Sequence, residues 1–168
     1  MCIRDSKNGV NMVDIAPSYG NAEVRLGPLI SRHRDELILS EKTLKRNKED
    51  ALAELQQSLR RLGTKHFDIY QFHAVDTVKE LDQIFHKNGA MEAFLEAKNQ
   101  NLIRHIGITA HRDMRVVLKA LERFDFDTVL IPINAGSLIH PSPENDFRPV
   151  LKAAKDRNIG VTAIKPIA

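Results

Sequence analysis

The composition of this 168-residue chain is that expected of a soluble protein with one hydrophobic core. Its 25 basic and 22 acidic residues are interspersed and leave a net charge of only +3, which argues against nucleic-acid binding. The sequence indicates neither a membrane helix nor a signal peptide, so we expect a cytoplasmic protein. Cys2 is the only cysteine, which excludes an intramolecular disulfide and a cysteine-based metal cluster.

Six segments with strand character alternate with helical segments along the chain. The strands are predicted to begin at about Val10, Leu37, Phe67, Arg104, Thr128 and Gly160, roughly one βα unit apart. Leucines recur with helical spacing between 52 and 62, with Asn47 as a candidate N-cap and Gly63 just beyond the end. Similar helical patterns occupy 114–121 and 147–154. Parallel strands joined by helices cross over in one direction, so these units predict a sheet that curls towards a barrel.

Four chemically active side chains lie where strands are predicted to end. Asp14 and Tyr19 fall in the run Asp-Ile-Ala-Pro-Ser-Tyr-Gly at the exit of the first strand. Lys42 ends the second strand and His73 ends the third. The carboxyl ends of parallel barrel strands form one rim, where catalytic groups are placed. An acid, a base and a polarising group should therefore converge at one site.

In these residues the sequence resembles the aldo-keto reductases. The Asp-x-Ala-x-x-Tyr-Gly element of that family, its strand-end lysine and its strand-end histidine match Asp14, Tyr19, Lys42 and His73 in order. The resemblance runs from about Val10 to the last residue and leaves residues 1–9 as an unmatched head. It implies the α/β class and an incomplete TIM (β/α)8 barrel, in which the six strands correspond to the second to seventh βα units.

The length of the chain bears on this resemblance. A complete barrel of this kind typically takes about 250 residues. We therefore expect residues 1–168 to form a single partial domain, a fragment of a longer reductase that is inactive by itself.

The resemblance also implies a mechanism. Reducing an aldehyde or ketone requires a hydride and a proton, and side chains supply only the proton, so a nicotinamide cofactor is implied. Tyr19 would donate the proton, and the adjacent Lys42 ammonium would make it a better acid by favouring the phenolate. Asp14 would pair with Lys42 and limit the cost of burying its charge. His73 would hydrogen-bond the substrate carbonyl and orient it.

Cofactor contacts are expected at the ends of the later strands. Thr109 keeps a hydroxyl that the family commonly uses to hold the nicotinamide carboxamide, although Ala110 lacks the usual amide. Asn134 is expected to supply an amide, and Lys165 to meet a cofactor phosphate or an acid. His111 is left open as a substrate contact. NADP is inferred from family habit, and NAD stays open because the phosphate-binding segment of the family has no counterpart in the sequence.

Three other functions are compatible with parts of this pattern. A Schiff-base lyase would use Lys42 as nucleophile, which needs a deprotonated amine that Asp14 disfavours. A non-catalytic, cofactor-binding regulatory barrel would not require all four active side chains. A metal-dependent hydrolase is disfavoured because the histidines form no compact ligand set. The sequence does not separate aldehyde, ketone, sugar and quinone substrates, and it does not indicate an oligomeric state.

Overall fold

The computed structural model describes residues 8–167, in which six strands form one parallel sheet. Neighbours in the sheet are consecutive in the chain, in the order β1 to β6. The strands are Met12–Asp14 (β1), Ile38–Thr43 (β2), Phe67–Phe72 (β3), Ile103–Thr109 (β4), Thr128–Pro132 (β5) and Gly160–Ile164 (β6). Each begins within two residues of its predicted start. This sequential parallel order is that of consecutive units of a (β/α)8 barrel and confirms the predicted fold class.

Helices connect the strands in the βα alternation that the sequence predicted. They are Ala22–His33 (α1), Lys48–Leu62 (α2), Val78–Phe85 (α3), Ala90–Asn99 (α4), Met114–Arg123 (α5), Ala135–Ile139 (α6) and Arg148–Asp156 (α7). A short 3-10 turn, Arg34–Glu36, leads from α1 into β2. Within residues 8–167, none of the helices combines the length and the apolar character needed to cross a membrane.

Helix α2 begins and ends as its sequence indicates. The Asn47 side chain accepts a hydrogen bond of 2.9 Å from the Asp50 amide, which satisfies one of the free donors of the first turn. Gly63 has a φ of +63° and donates its amide to the Arg60 carbonyl, which closes the last turn. Both predicted caps are confirmed.

The two faces of the sheet differ in chemistry because side chains alternate along each strand. Leu39, Tyr70 and Phe72 face the helices, and the Phe72 ring stacks on the Phe94 ring of α4 with centroids 3.8 Å apart. The opposite, concave face carries polar side chains towards the carboxyl ends of the strands: Asp14, Ser40, Lys42, Gln71, His73 and Thr109. The hydrophobic core therefore lies between sheet and helices, and the polar groups gather at one rim.

Candidate active site

Tyr19 lies in a tight turn that follows β1. Its amide donates to the Ala16 carbonyl at 3.0 Å, and its own carbonyl accepts from Ala22 at the start of α1. Gly20, the next residue, has a φ of +64°, a conformation that favours glycine. The turn leaves 46% of Tyr19 exposed, so its hydroxyl is available to a ligand at the rim.

Lys42 is buried beneath that tyrosine. Only 1% of its surface is exposed, and its Nζ lies 5.1 Å from the centroid of the Tyr19 ring. The ammonium donates to Asp14 Oδ2 at 2.6 Å and to the Ile15 carbonyl at 3.1 Å. A buried charge is tolerated only when it is paired and hydrogen-bonded, and these two acceptors meet that condition. The structure thus brings together the predicted acid, lysine and tyrosine.

Two residues that the sequence analysis did not select complete this pairing. Ser40 Oγ donates to Asp14 Oδ1 at 2.8 Å, and Gln71 Nε2 lies 3.2 Å from the same oxygen. Each precedes a strand-end residue by two positions, Ser40 before Lys42 and Gln71 before His73. Because side chains two apart on a strand share a face, this spacing was the signal that could have identified them.

His73 directly follows β3 and lies beside the tyrosine. Its ring meets the Tyr19 ring edge-on, with centroids 5.8 Å apart. Burial lowers the pKa of His73 to about 4, and the positive charge of Lys42 acts in the same direction. The imidazole is therefore neutral near pH 7 and carries one N–H that can be donated to a carbonyl oxygen. This agrees with the predicted polarising role, which stays a prediction.

His111 joins the same cluster from the loop after β4. Its ring lies 6.1 Å from the His73 ring, and its backbone amide donates to Asp76 Oδ1 at 2.7 Å. Partial burial, and then the charge of Lys165, lowers the pKa of His111. Among the described residues its Nδ1 has no hydrogen-bond partner. The structure thus places a second imidazole beside His73, and a contact of His111 with the substrate stays a prediction.

Thr109, at the end of β4, supports the loop that follows His73. Its hydroxyl accepts the Ala74 amide at 2.8 Å, and its carbonyl accepts the Val75 amide at 2.8 Å. Ala74 has a φ of +51°, which is unfavourable for a residue with a β-carbon, so these bonds hold a strained turn. The cofactor contact predicted for Thr109 stays a prediction, and the hydroxyl already has a structural partner.

The other two predicted cofactor residues lie after β5 and β6. Asn134 is the N-cap of the short helix α6, where its Oδ1 accepts the Ser137 amide at 2.9 Å. Lys165 is exposed, has a φ of +54°, and is close enough to His111 to influence its charge. Lys165 therefore lies near His111 at the rim. The side chain of Asn134 is hydrogen-bonded within its own loop.

Comparison with known proteins identifies relatives that match most of the chain. The sequence model of the aldo/keto reductase family matches residues 6–168, which begins four residues before the resemblance seen from Val10. An uncharacterized oxidoreductase of Bacillus subtilis, YqkF, is 27% identical over 95% of this chain and 52% of its own length. The methylglyoxal reductase DkgB of Salmonella typhimurium is 29% identical over 95% of this chain and 58% of its own length. The chain thus spans about half the length of the curated relatives it matches.

Solved structures show the same fold. A putative aldo-keto reductase from Pseudomonas aeruginosa superposes with a TM-score of 0.81 at 23% identity, covering 98% of this chain and 63% of that one. A Bombyx mori aldo-keto reductase in complex with NADP superposes with a TM-score of 0.69 at 21% identity, covering 92% of this chain and 52% of that one. The predicted incomplete barrel is confirmed by these superpositions.

Proposed function

Since the chain belongs to the aldo/keto reductase family, we propose that the intact protein reduces an aldehyde or ketone to an alcohol with NADPH. The intact protein is the full-length product of the reading frame that encodes these residues. The observation that carries the proposal is the buried Lys42 ammonium, held by Asp14 at 2.6 Å and placed 5.1 Å from the ring of the exposed Tyr19. Folding alone does not require a buried lysine beneath an exposed tyrosine.

The proton is delivered by Tyr19 in this proposal. As the carbonyl oxygen gains negative charge, the phenol donates its proton to it and becomes a phenolate. The Lys42 ammonium stabilises that phenolate by its positive charge. Asp14 keeps the ammonium charged despite its burial.

The carbonyl is oriented by His73. Its neutral imidazole donates one hydrogen bond to the carbonyl oxygen, and it neither gains nor loses charge near pH 7. Because His73 and Tyr19 are in edge-on contact, both can reach one oxygen atom. The two donors thus fix which face of the carbonyl turns towards the cofactor.

The residues of the rim fit a nicotinamide cofactor. When it is bound, the reduced nicotinamide supplies the hydride that side chains cannot supply. The His111 Nδ1 has no partner in the described part of the chain, and the NH2 of Asn134 can meet a carboxamide oxygen while its Oδ1 caps α6. Lys165 supplies positive charge for an anionic group. NADPH is proposed ahead of NADH because a structure of the same fold is described in complex with NADP.

The experiment that tests this function uses Tyr19→Phe in the intact protein. The substitution removes the proton donor and keeps the ring, so kcat/KM should fall about 10²–10⁴-fold while the Kd for NADPH stays within about twofold. Small aldehydes are assayed first, methylglyoxal among them, because one relative is named a methylglyoxal reductase.

The matched control is the second tyrosine of the chain. Tyr70 is fully buried on the helix-facing side of β3, away from the rim, so Tyr70→Phe should leave kcat/KM within about twofold. A Tyr19→Phe variant that reduces aldehydes within threefold of the wild type contradicts the assigned role. Binding of NADPH without reduction of any carbonyl would instead favour a non-catalytic regulatory barrel.

A further inference from the structure

Asp14 is bound on both of its carboxylate oxygens. Oδ2 accepts the Lys42 ammonium at 2.6 Å, whereas Oδ1 accepts the Ser40 hydroxyl at 2.8 Å and the Gln71 amide at 3.2 Å. The two sets of donors lie on opposite oxygens, so they determine the rotation of the carboxylate about its χ2 bond. Without the second set, nothing else described in the structure fixes Oδ1.

The directions of these hydrogen bonds are determined by their chemistry. The Gln71 amide has two hydrogens, and its Nε2 lies 2.7 Å from Ser40 Oγ as well as close to Asp14. Since Ser40 Oγ accepts one of those hydrogens, its own single hydrogen is free to point at Asp14 Oδ1. Both donors are buried, with Ser40 at 0% and Gln71 at 2% exposure, so neither can exchange its hydrogen bond to Asp14 for one to bulk water without a change in packing.

The neighbouring strand β4 leaves space for the Gln71 side chain. Gly107 of β4 pairs with Gln71 in the sheet, and a β-carbon at that position would lie 2.9 Å from Gln71 Cγ. A side chain on residue 107 would therefore press on Gln71, and it would also meet Thr128 Oγ1. The glycine, the glutamine and the serine lie on three neighbouring strands, β4, β3 and β2, next to Asp14 on β1.

From this network we propose that Ser40 and Gln71 are positioning residues, which hold Asp14 in the orientation that keeps Lys42 charged beneath Tyr19. The inference rests on the proposed reductase function and extends it to two residues that do not touch the substrate. Loss of either donor lets the carboxylate rotate and weakens the hold on Lys42, so proton transfer by Tyr19 slows while binding of the cofactor is unaffected.

The first test measures, in the intact protein, whether Gln71 affects catalysis through Asp14. Gln71→Met keeps the length and shape of the side chain but removes the amide, and a hydrogen bond to a charged group of this strength corresponds to about a tenfold fall in kcat. The Kd for NADPH should stay within about twofold. In an Asp14→Asn background, Gln71→Met should change kcat less than about twofold, since its effect acts through that carboxylate. The control is Gln56→Met on the exposed surface of α2, which should change neither quantity.

A merely structural role for Gln71 would lower kcat by the same factor with and without Asp14, and that result would overturn the proposal. So would an unchanged kcat in Gln71→Met. Ser40→Ala tests the second donor in the same cycle, and the two effects should be less than additive because both donors act on one oxygen.

A second test does not depend on activity. In a crystal structure of the intact Ser40→Ala/Gln71→Met variant, the Asp14 carboxylate should be rotated and its Oδ2 should be more than 3.5 Å from Lys42 Nζ. Retention of the wild-type carboxylate plane and of the 2.6 Å contact would overturn the positioning role. If the wild-type protein reduces no carbonyl, the proposed function fails by itself, and this structural result still decides whether the network holds Asp14.

Discussion

Glu41 provides a quantitative test of the electrostatics behind the active site. It lies on β2 between Ser40 and Lys42, but its side chain points to the helix-facing side and is fully buried. Its Oε1 accepts the Lys42 backbone amide at 2.9 Å, and its Oε2 has no partner among residues 8–167. Burial raises the pKa of Glu41 from 4.5 to about 8; the nearby carboxylates of Glu23 and Asp14 add to this, and the Lys42 charge opposes it.

The sign of the pH effect on the free energy of unfolding depends on which state, folded or unfolded, binds the Glu41 proton more tightly. The folded protein keeps the Glu41 proton up to about pH 8, whereas the unfolded chain releases it above about pH 4.5. The free energy of unfolding therefore falls as pH rises between these values, by about 5 kcal/mol in all. Between pH 6 and pH 8, where measurement is straightforward, the expected loss is about 2 kcal/mol.

The perturbation is Glu41→Gln, which keeps the shape of the side chain and cannot ionise. Urea unfolding of the intact wild type and variant at pH 6 and pH 8 gives four free energies of unfolding. The wild type should lose about 2 kcal/mol more than the variant over this range, since the histidines that also titrate contribute equally to both. Glu49→Gln, an exposed glutamate of α2, should retain the wild-type pH dependence. Equal pH dependence in wild type and Glu41→Gln would refute the raised pKa.

Three further predictions address the site and the sheet. Borohydride added to the intact protein with its carbonyl substrate should leave no adduct on Lys42, whose Nζ is paired with Asp14; an adduct found by mass spectrometry would support a Schiff-base lyase instead. Gly107→Ala should lower the free energy of unfolding by about 1–3 kcal/mol, because the new methyl would meet Thr128 Oγ1 and press on Gln71; a Tm unchanged within about a degree would contradict this. Because burial lowers the pKa of His73 to about 4, the kcat/KM profile should show no acid inflection from this imidazole between pH 5 and pH 7; an inflection near pH 6.5 that disappears in His73→Gln would show that it titrates normally.

Local sequence patterns predicted the elements of this fold well. The six strand starts agree with the structure to within two residues because each strand carries apolar residues that can be recognised from the local sequence. The ends of α2 agree because Asn47 and Gly63 act within one turn of the helix. In both cases the determining interactions are between residues close together in the chain.

The four residues predicted to be catalytic were identified because each lies near the carboxyl end of a strand or in the loop that follows it. In a parallel sheet that position places a side chain at the common rim without knowledge of any distant contact. The contact of Lys42 with Asp14, for example, joins residues 28 positions apart, yet both lie at the ends of neighbouring strands. The family resemblance then supplied their order.

Other features depend on contacts that no local pattern contains. The hydroxyl of Thr109 was assigned to the cofactor because of its place in the sequence, but the structure engages it with Ala74, 35 residues away. The spacing of Gln71 from His73 places it on the same face of the sheet, but its hydrogen bond to Asp14, 57 residues earlier, is visible only in the structure. Glu41 occupies a helix-facing position where alternation predicts an apolar residue, and only the packing of α1 and α2 shows that it is enclosed.

Hydride transfer is the most direct test of the account as a whole. The intact protein is incubated with an aldehyde and with NADPH deuterated at one or the other of its two C4 positions, and the alcohol is analysed by mass spectrometry. One of the two deuterated forms should deliver its deuterium to the former carbonyl carbon, at a rate that falls about 10²–10⁴-fold in Tyr19→Phe. An alcohol without deuterium from either form, or no alcohol at all, would contradict the proposal that this protein is a carbonyl reductase.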